Sequence, residues 1–133
     1  MFRIKYCREI TLKILYEVDL LCIDDMDAHQ LLQLNTDFFK GLNSQERNFI
    51  TKIIQKILDE KQLIDQRLSA NLIGWKLERL LSVDRSLLRL GVGESFFNDQ
   101  KAIIIDDVVR MAKKYGSEES YKIINAILDK VIE

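Results

Sequence analysis

Apolar residues recur along this chain every three or four positions rather than every two, the spacing of helices that bury one side. The first such run predicts a helix over residues 3–22, with Cys7, Ile10, Ile14, Val18 and Leu21 on one face and Leu15 and Cys22 beside them. The acidic run Asp24-Asp25-Met26-Asp27 interrupts it and can cap a second helix carrying Leu31, Leu32, Leu34, Phe38 and Phe39, which Gly41 stops. Asn43 or Ser44 can cap a third helix, and Asn43 with Glu46 has capping-box spacing. That helix buries Phe49, Ile50, Ile53, Ile54, Ile57 and Leu58; a segment over 62–73 continues the pattern with Leu63, Ile64, Leu68 and Leu72. Gly74 sets this segment apart from Trp75, Leu77, Leu80 and Leu81. Ser82 reads as an N-cap with Asp84 in the first turn, where the helix dipole favours a carboxylate, followed by Leu87, Leu88, Leu90, Phe96 and Phe97. A polar break at Asn98-Asp99-Gln100 precedes a helix over 101–115. Gly116 closes it, Ser117 caps the last helix, and Ile123, Ile124, Ile127, Leu128 and Val131 form that helix's apolar side.

The chain is 133 residues long, with no proline and five glycines, and no linker, repeat or strand signal interrupts the helical pattern. An all-α fold is therefore expected: one domain over 1–133, a compact bundle of about seven helices. An N-terminal sub-bundle over about 1–73 and a C-terminal one over about 74–133 would share one core. No apolar run is long enough to span a bilayer, and the opening Met1-Phe2-Arg3-Ile4-Lys5 lacks the apolar region of a signal peptide, so cytoplasmic residence is expected. A net charge of −1 means that any affinity for nucleic acid must come from a local patch or a partner. The charge is uneven. Arg3, Lys5, Arg8 and Lys13 face only Glu9 in residues 1–16, whereas residues 17–27 hold five acids and no base.

Catalytic and metal-binding patterns are missing. His29 is the single histidine and follows an acidic cap, the setting of a solvated or capping residue. Gly91-Val92-Gly93 lies within a helical pattern and reads as small residues that let helices approach, not as a dinucleotide loop. Asp106 and Asp107 are adjacent and so diverge around a helix instead of converging as paired acids. Trp75 in its leucine-rich stretch reads as core. Cys7 and Cys22 read as small buried hydrophobes, roughly 22 Å apart on one helix and unable to bridge. No cofactor is expected.

Four stretches together resemble the NusB family. Arg8-Glu9-Ile10-Thr11-Leu12-Lys13-Ile14-Leu15-Tyr16 is similar to the family's R-E-x-A-x-x-x-L-Y opening helix. Trp75-Lys76-Leu77-Glu78-Arg79-Leu80, then Ser82-Val83-Asp84-Arg85-Ser86-Leu87-Leu88-Arg89-Leu90, is similar to W-x-x-x-R-L-x-x-V-D-R-x-I-L-R-L. Val108-Val109-Arg110-Met111-Ala112-Lys113-Lys114-Tyr115-Gly116 is similar to the E-x-A-K-x-[FY]-G helix end, and Glu119-Ser120-Tyr121-Lys122-Ile123-Ile124-Asn125-Ala126-Ile127-Leu128-Asp129-Lys130 is similar to S-x-K-F-V-N-G-V-L-D-K. The order, spacing and length fit over nearly the whole chain. The chain departs from the pattern in its thinned N-terminal arginines, Ile123 in place of the aromatic and Ala126 in place of the glycine.

The resemblance implies a transcription antitermination factor without enzymatic activity. Family members pair with the small-subunit ribosomal protein NusE, and the pair binds the single-stranded boxA element of nascent RNA within the RNA polymerase antitermination complex, chiefly in ribosomal RNA transcription. Carried over by position, the RNA face would hold Lys5, Arg8, Glu119, Lys122, Ile123 and Asn125, and the partner face Asp84, Arg85 and Tyr16. A homodimer hiding the RNA face is compatible with the sequence. Two other classes stay open: a helical interaction or dimerisation module that no longer binds RNA, and the RNA-binding portion of an RNA methyltransferase.

Overall fold

The computed structural model describes residues 1–133, and its secondary structure is entirely helical. Eight α-helices follow in order: α1 (Ile4–Leu20), α2 (Ala28–Leu34), α3 (Thr36–Phe39), α4 (Ser44–Asp59), α5 (Lys61–Ala70), α6 (Ser82–Ser95), α7 (Lys101–Tyr115) and α8 (Ser120–Val131). A one-turn 3₁₀ helix at Leu77–Arg79 lies between α5 and α6. The second predicted helix is two, divided at Asn35, whose side-chain amide turns back to the Leu31 carbonyl at 2.8 Å.

Local chemistry explains several of the ends. Asn43 accepts from the Glu46 N–H at 2.8 Å while Glu46 accepts from the Asn43 N–H at 3.1 Å, the reciprocal box expected from their spacing. Asp27 and Gln30 form a second such box at the start of α2. The Glu46 carboxylate also accepts from the Arg3 backbone and guanidinium, at 3.0 Å and 2.9 Å, and so straps the N-terminus to α4. Two expected caps differ. Ser82 is the first residue of α6 and spends its hydroxyl on Asp19 across to α1. Ser117 makes no side-chain cap; its N–H instead donates to the Ser120 hydroxyl at 2.9 Å. α1 stops at Leu20, and Cys22, in the left-handed region at φ 53°, is exposed rather than buried; only Cys7 is in the core.

Helix α6 is the centre of the molecule, packed against α1, α4, α7 and α8. Its glycines make those approaches: a Cβ on Gly93 would meet Ile57 Cγ1 at 2.5 Å, and one on Gly91 would meet Leu128 Cδ1 at 2.9 Å. Thirty-one buried apolar residues from both halves of the sequence form one continuous core. Each large member favours folding by roughly 1.5–3 kcal/mol over its exposed state, most of it offset by lost chain entropy.

Candidate nucleic-acid interface

Three of the nine expected surface contacts prove to be structural. Arg8 is 1% exposed. Its guanidinium donates to both Glu94 oxygens of α6 at 2.7 Å and 2.6 Å, and to Asp107 of α7 at 3.2 Å. The expected RNA contact is therefore a three-helix clamp, because α6 and α7 present two carboxylates that need a buried cation. The charge chain continues outward: Asp107 accepts from Arg110 at 2.6 Å, Arg110 donates to Glu9 at 3.1 Å, and Glu9 also accepts from Lys114 at 2.9 Å and Tyr115 at 2.5 Å. These donors hold the Glu9 carboxyl down at about 2, against the opposing effect of burial.

Arg85, expected on the partner face, is similarly committed. It donates to Asp19 at 2.7 Å and to the Glu78 and Leu80 carbonyls at 3.0 Å and 2.5 Å, so it fastens the 3₁₀ turn and α6 to α1. Arg89 completes this second network by bridging Asp19 at 2.8 Å and Asp65 at 2.9 Å. Asp84 is 8% exposed, so it is no free surface acid; its Oδ1 has no hydrogen-bond partner. Burial raises its carboxyl, opposed only by a hydroxyl contact from Ser120. Tyr16 is exposed and borders a cleft of about 300 Å³ with Leu12, Lys13, Leu81, Val83 and Tyr115.

Lys5, Glu119, Lys122, Ile123 and Asn125 are exposed, but they do not share one face. Residues two apart on a helix diverge by about 200°. Ile123 accordingly faces α5 and the 3₁₀ turn, whereas Asn125 faces a groove against α7 with Asp106, Asp129 and Lys101. Lys122 lies between them, loosely paired with Glu119 at 3.7 Å.

A surface that residue-by-residue reading missed joins α1 to α8 through the end of α7. Lys113 lies 4.9 Å from the Tyr121 ring, Lys122 5.9 Å from the same ring, and Lys114 5.1 Å from Tyr115, while Glu9 of α1 holds Lys114 and Tyr115 from the other side. Lysines alternating with flat rings can pair with phosphates and stack bases.

Comparison with known proteins agrees with this architecture. The NusB family model matches residues 6–133. The chain belongs to the NusB family. It is 33% identical over 127 residues to the transcription antitermination protein NusB of Syntrophomonas wolfei, covering 94% of this chain and 92% of that one. It is 34% identical over 131 residues to the same-named protein of Desulfitobacterium hafniense, covering 97% and 87%. Among solved structures, T. maritima NusB superposes with a TM-score of 0.85 at 28% identity, over 99% of this chain and 92% of that one. A chain from a structure described as a plectonemic RNA supercoil gives 0.86 at 26% identity, over 98% and 94%. The α7 end and the α8 start were legible as NusB-family markers. Their alternating lysines and tyrosines were the signal that could have placed the cationic surface there. Trp75, expected in the core, is 62% exposed: Gly74 at φ 78° turns the chain so that the indole stands outside.

Proposed function

We propose that this NusB-family chain is a transcription antitermination factor that binds boxA-type single-stranded RNA together with NusE, in the RNA polymerase antitermination complex of ribosomal RNA operons. The observation that carries the reading is family membership over residues 6–133 combined with the lysine–tyrosine surface of Lys113, Lys114, Tyr115, Tyr121 and Lys122. That surface is the centre of the RNA face, with Glu119 paired to Lys122 at its margin and Lys5 one turn before Glu9 on α1, while Ile123 and Asn125 turn away from Lys122 into the grooves on either side. Tyr16 and its apolar cleft are the protein face; Ser82 and Val83 at the start of α6 line that cleft, and Arg85, paired with Asp19, holds that start against α1, while Asp84 next to them turns to the other cavity. An exposed tyrosine beside an apolar hollow suits a protein hot spot. No helix is long and apolar enough to cross a membrane.

Few cations lie on this surface, and Lys114 and Lys122 there are paired with Glu9 and Glu119, so RNA binding by the chain alone is weak and tightens with the ribosomal protein. A titration of fluorescent boxA and scrambled oligoribonucleotides, with and without NusE, tests this. The expected result is boxA preference only in the pair, with a log–log salt slope of about −2 to −3 for three or four phosphate contacts. Equal affinity for both RNAs with NusE present would contradict it.

A further inference from the structure

The cavity between α8 and the connection from α5 to α6 combines a buried acid, one oxygen of which is unmatched, with an exposed aromatic. Its volume is about 490 Å³, within the roughly 300–1,000 Å³ range of small-ligand sites. Trp75, Ile73 and Ile123 supply apolar wall, Arg79 and Lys130 are exposed at its edge, and Asp84 lies inside. The Oδ1 of Asp84 has no partner although the residue is 8% exposed. A buried acceptor left unmatched is unfavourable, and a ligand that brings a donor removes that penalty.

We infer that this cavity takes one nucleotide of single-stranded RNA, with its base against Trp75, a ring N–H or amine donated to Asp84, and its phosphate between Arg79 and Lys130. The charge order favours this occupant. A nucleotide presents an anion at one end and hydrogen-bond donors at the other, matching cations at the edge and an acceptor within. A basic side chain from a protein would have to pass Arg79 and Lys130 to reach the acid, against like charge. Guanine, with adjacent N1–H and N2–H donors, fits a carboxylate best. The cavity adjoins both other surfaces: Ile123 follows Lys122 of the cationic surface, and Leu81 lines this cavity and the Tyr16 cleft alike. The inference rests on the RNA-binding reading and adds to it a subsite and a base preference.

Trp75 is the only tryptophan, so its fluorescence reports on the cavity directly. The full chain is titrated with guanosine and uridine 5′-monophosphates, then with single-stranded RNA in the presence of NusE. Guanosine monophosphate should quench Trp75 at several-fold lower concentration than uridine monophosphate, and Asp84→Asn should abolish that preference. Trp75→Leu, an exposed position that leaves the fold intact, should weaken RNA binding about tenfold. Arg79→Ala should weaken both nucleotides equally. RNA that binds with sensitivity to Lys113→Glu but indifference to Trp75→Leu and Asp84→Asn would overturn the subsite and leave the RNA-binding reading standing. Quenching by NusE alone, with none by nucleotides, would also overturn it. Absence of RNA binding even with NusE would overturn both.

Discussion

Arg8 and Trp75 sit at opposite extremes of the molecule's polar organisation. Around Arg8 itself every buried charge meets an opposite one: the guanidinium meets Glu94 and Asp107, and Asn98 donates to Glu94 at 3.0 Å. Arg110 and Glu9 carry the chain to the surface, and one Arg110 guanidinium nitrogen on the way is left without a partner. Around Trp75 a large ring is exposed, and the carboxylate within reach of the same cavity has an unmatched oxygen. Both regions contain residues that a sequence reading associates with RNA. The difference teaches that a cation's function depends on whether its partners lie within the chain. Arg8 finds them there and joins three helices, whereas the second region leaves its chemistry to something outside.

The sharpest way to break this contrast is Arg8→Ala. It strands Glu94 and Asp107 in the core and should lower unfolding free energy by about 3–5 kcal/mol, read from urea denaturation. In the protein that remains folded at low temperature, the salt slope of RNA binding should be unchanged; a shallower slope would put Arg8 back among the phosphate contacts. Next in size, joint reversal Lys113→Glu and Lys122→Glu should leave stability within about 0.5 kcal/mol and weaken RNA binding more than tenfold. Tyr16→Ala should cost about 1–2 kcal/mol of affinity for NusE, by calorimetry, without altering RNA binding by the chain alone.

The smallest effect is the response to pH. Glu9 and Asp19 are both held below their unfolded carboxyl values by the cations and hydroxyls around them. Their stabilisation is complete above about pH 4–5 and is lost as pH falls toward about 2. Asp84 has the opposite sign, since burial raises it; its contribution is present below its unfolded value and lost as pH rises past it. Asp84→Asn should therefore gain stability relative to the parent as pH rises above the ordinary carboxyl range, measured by urea midpoints. A relative loss there would mean that the carboxylate is satisfied in the folded chain.

The helices were legible because their signals are local. Apolar spacing and the Asn43–Glu46 box act within a few residues, and the structure keeps both. Family membership was legible because its markers follow one another in register. The split at Asn35 depends on one side chain turning back on its own helix, which periodicity does not encode. Arg8 was misplaced because its partners lie 86 and 99 residues away, beyond any pattern in the first helix. Trp75 was misplaced for the converse reason: Leu77 is buried and Leu72 and Leu80 half-buried, but the turn at Gly74 excludes the indole from their company. The divergence of Ile123 and Asn125 followed from helical geometry alone and was obscured by treating a family motif as one contiguous surface.

The most direct measurement is a map of backbone amide shifts of the ¹⁵N-labelled chain as single-stranded boxA RNA is added with unlabelled NusE. Perturbations should concentrate at residues 113–130 and around 72–84, with a separate set at Tyr16 that NusE alone produces. Shifts that centre on Arg8 and its buried partners Glu94 and Asp107, and spare both Trp75 and the α7–α8 corner, would contradict the division between a structural Arg8 and an RNA-facing α7–α8 surface.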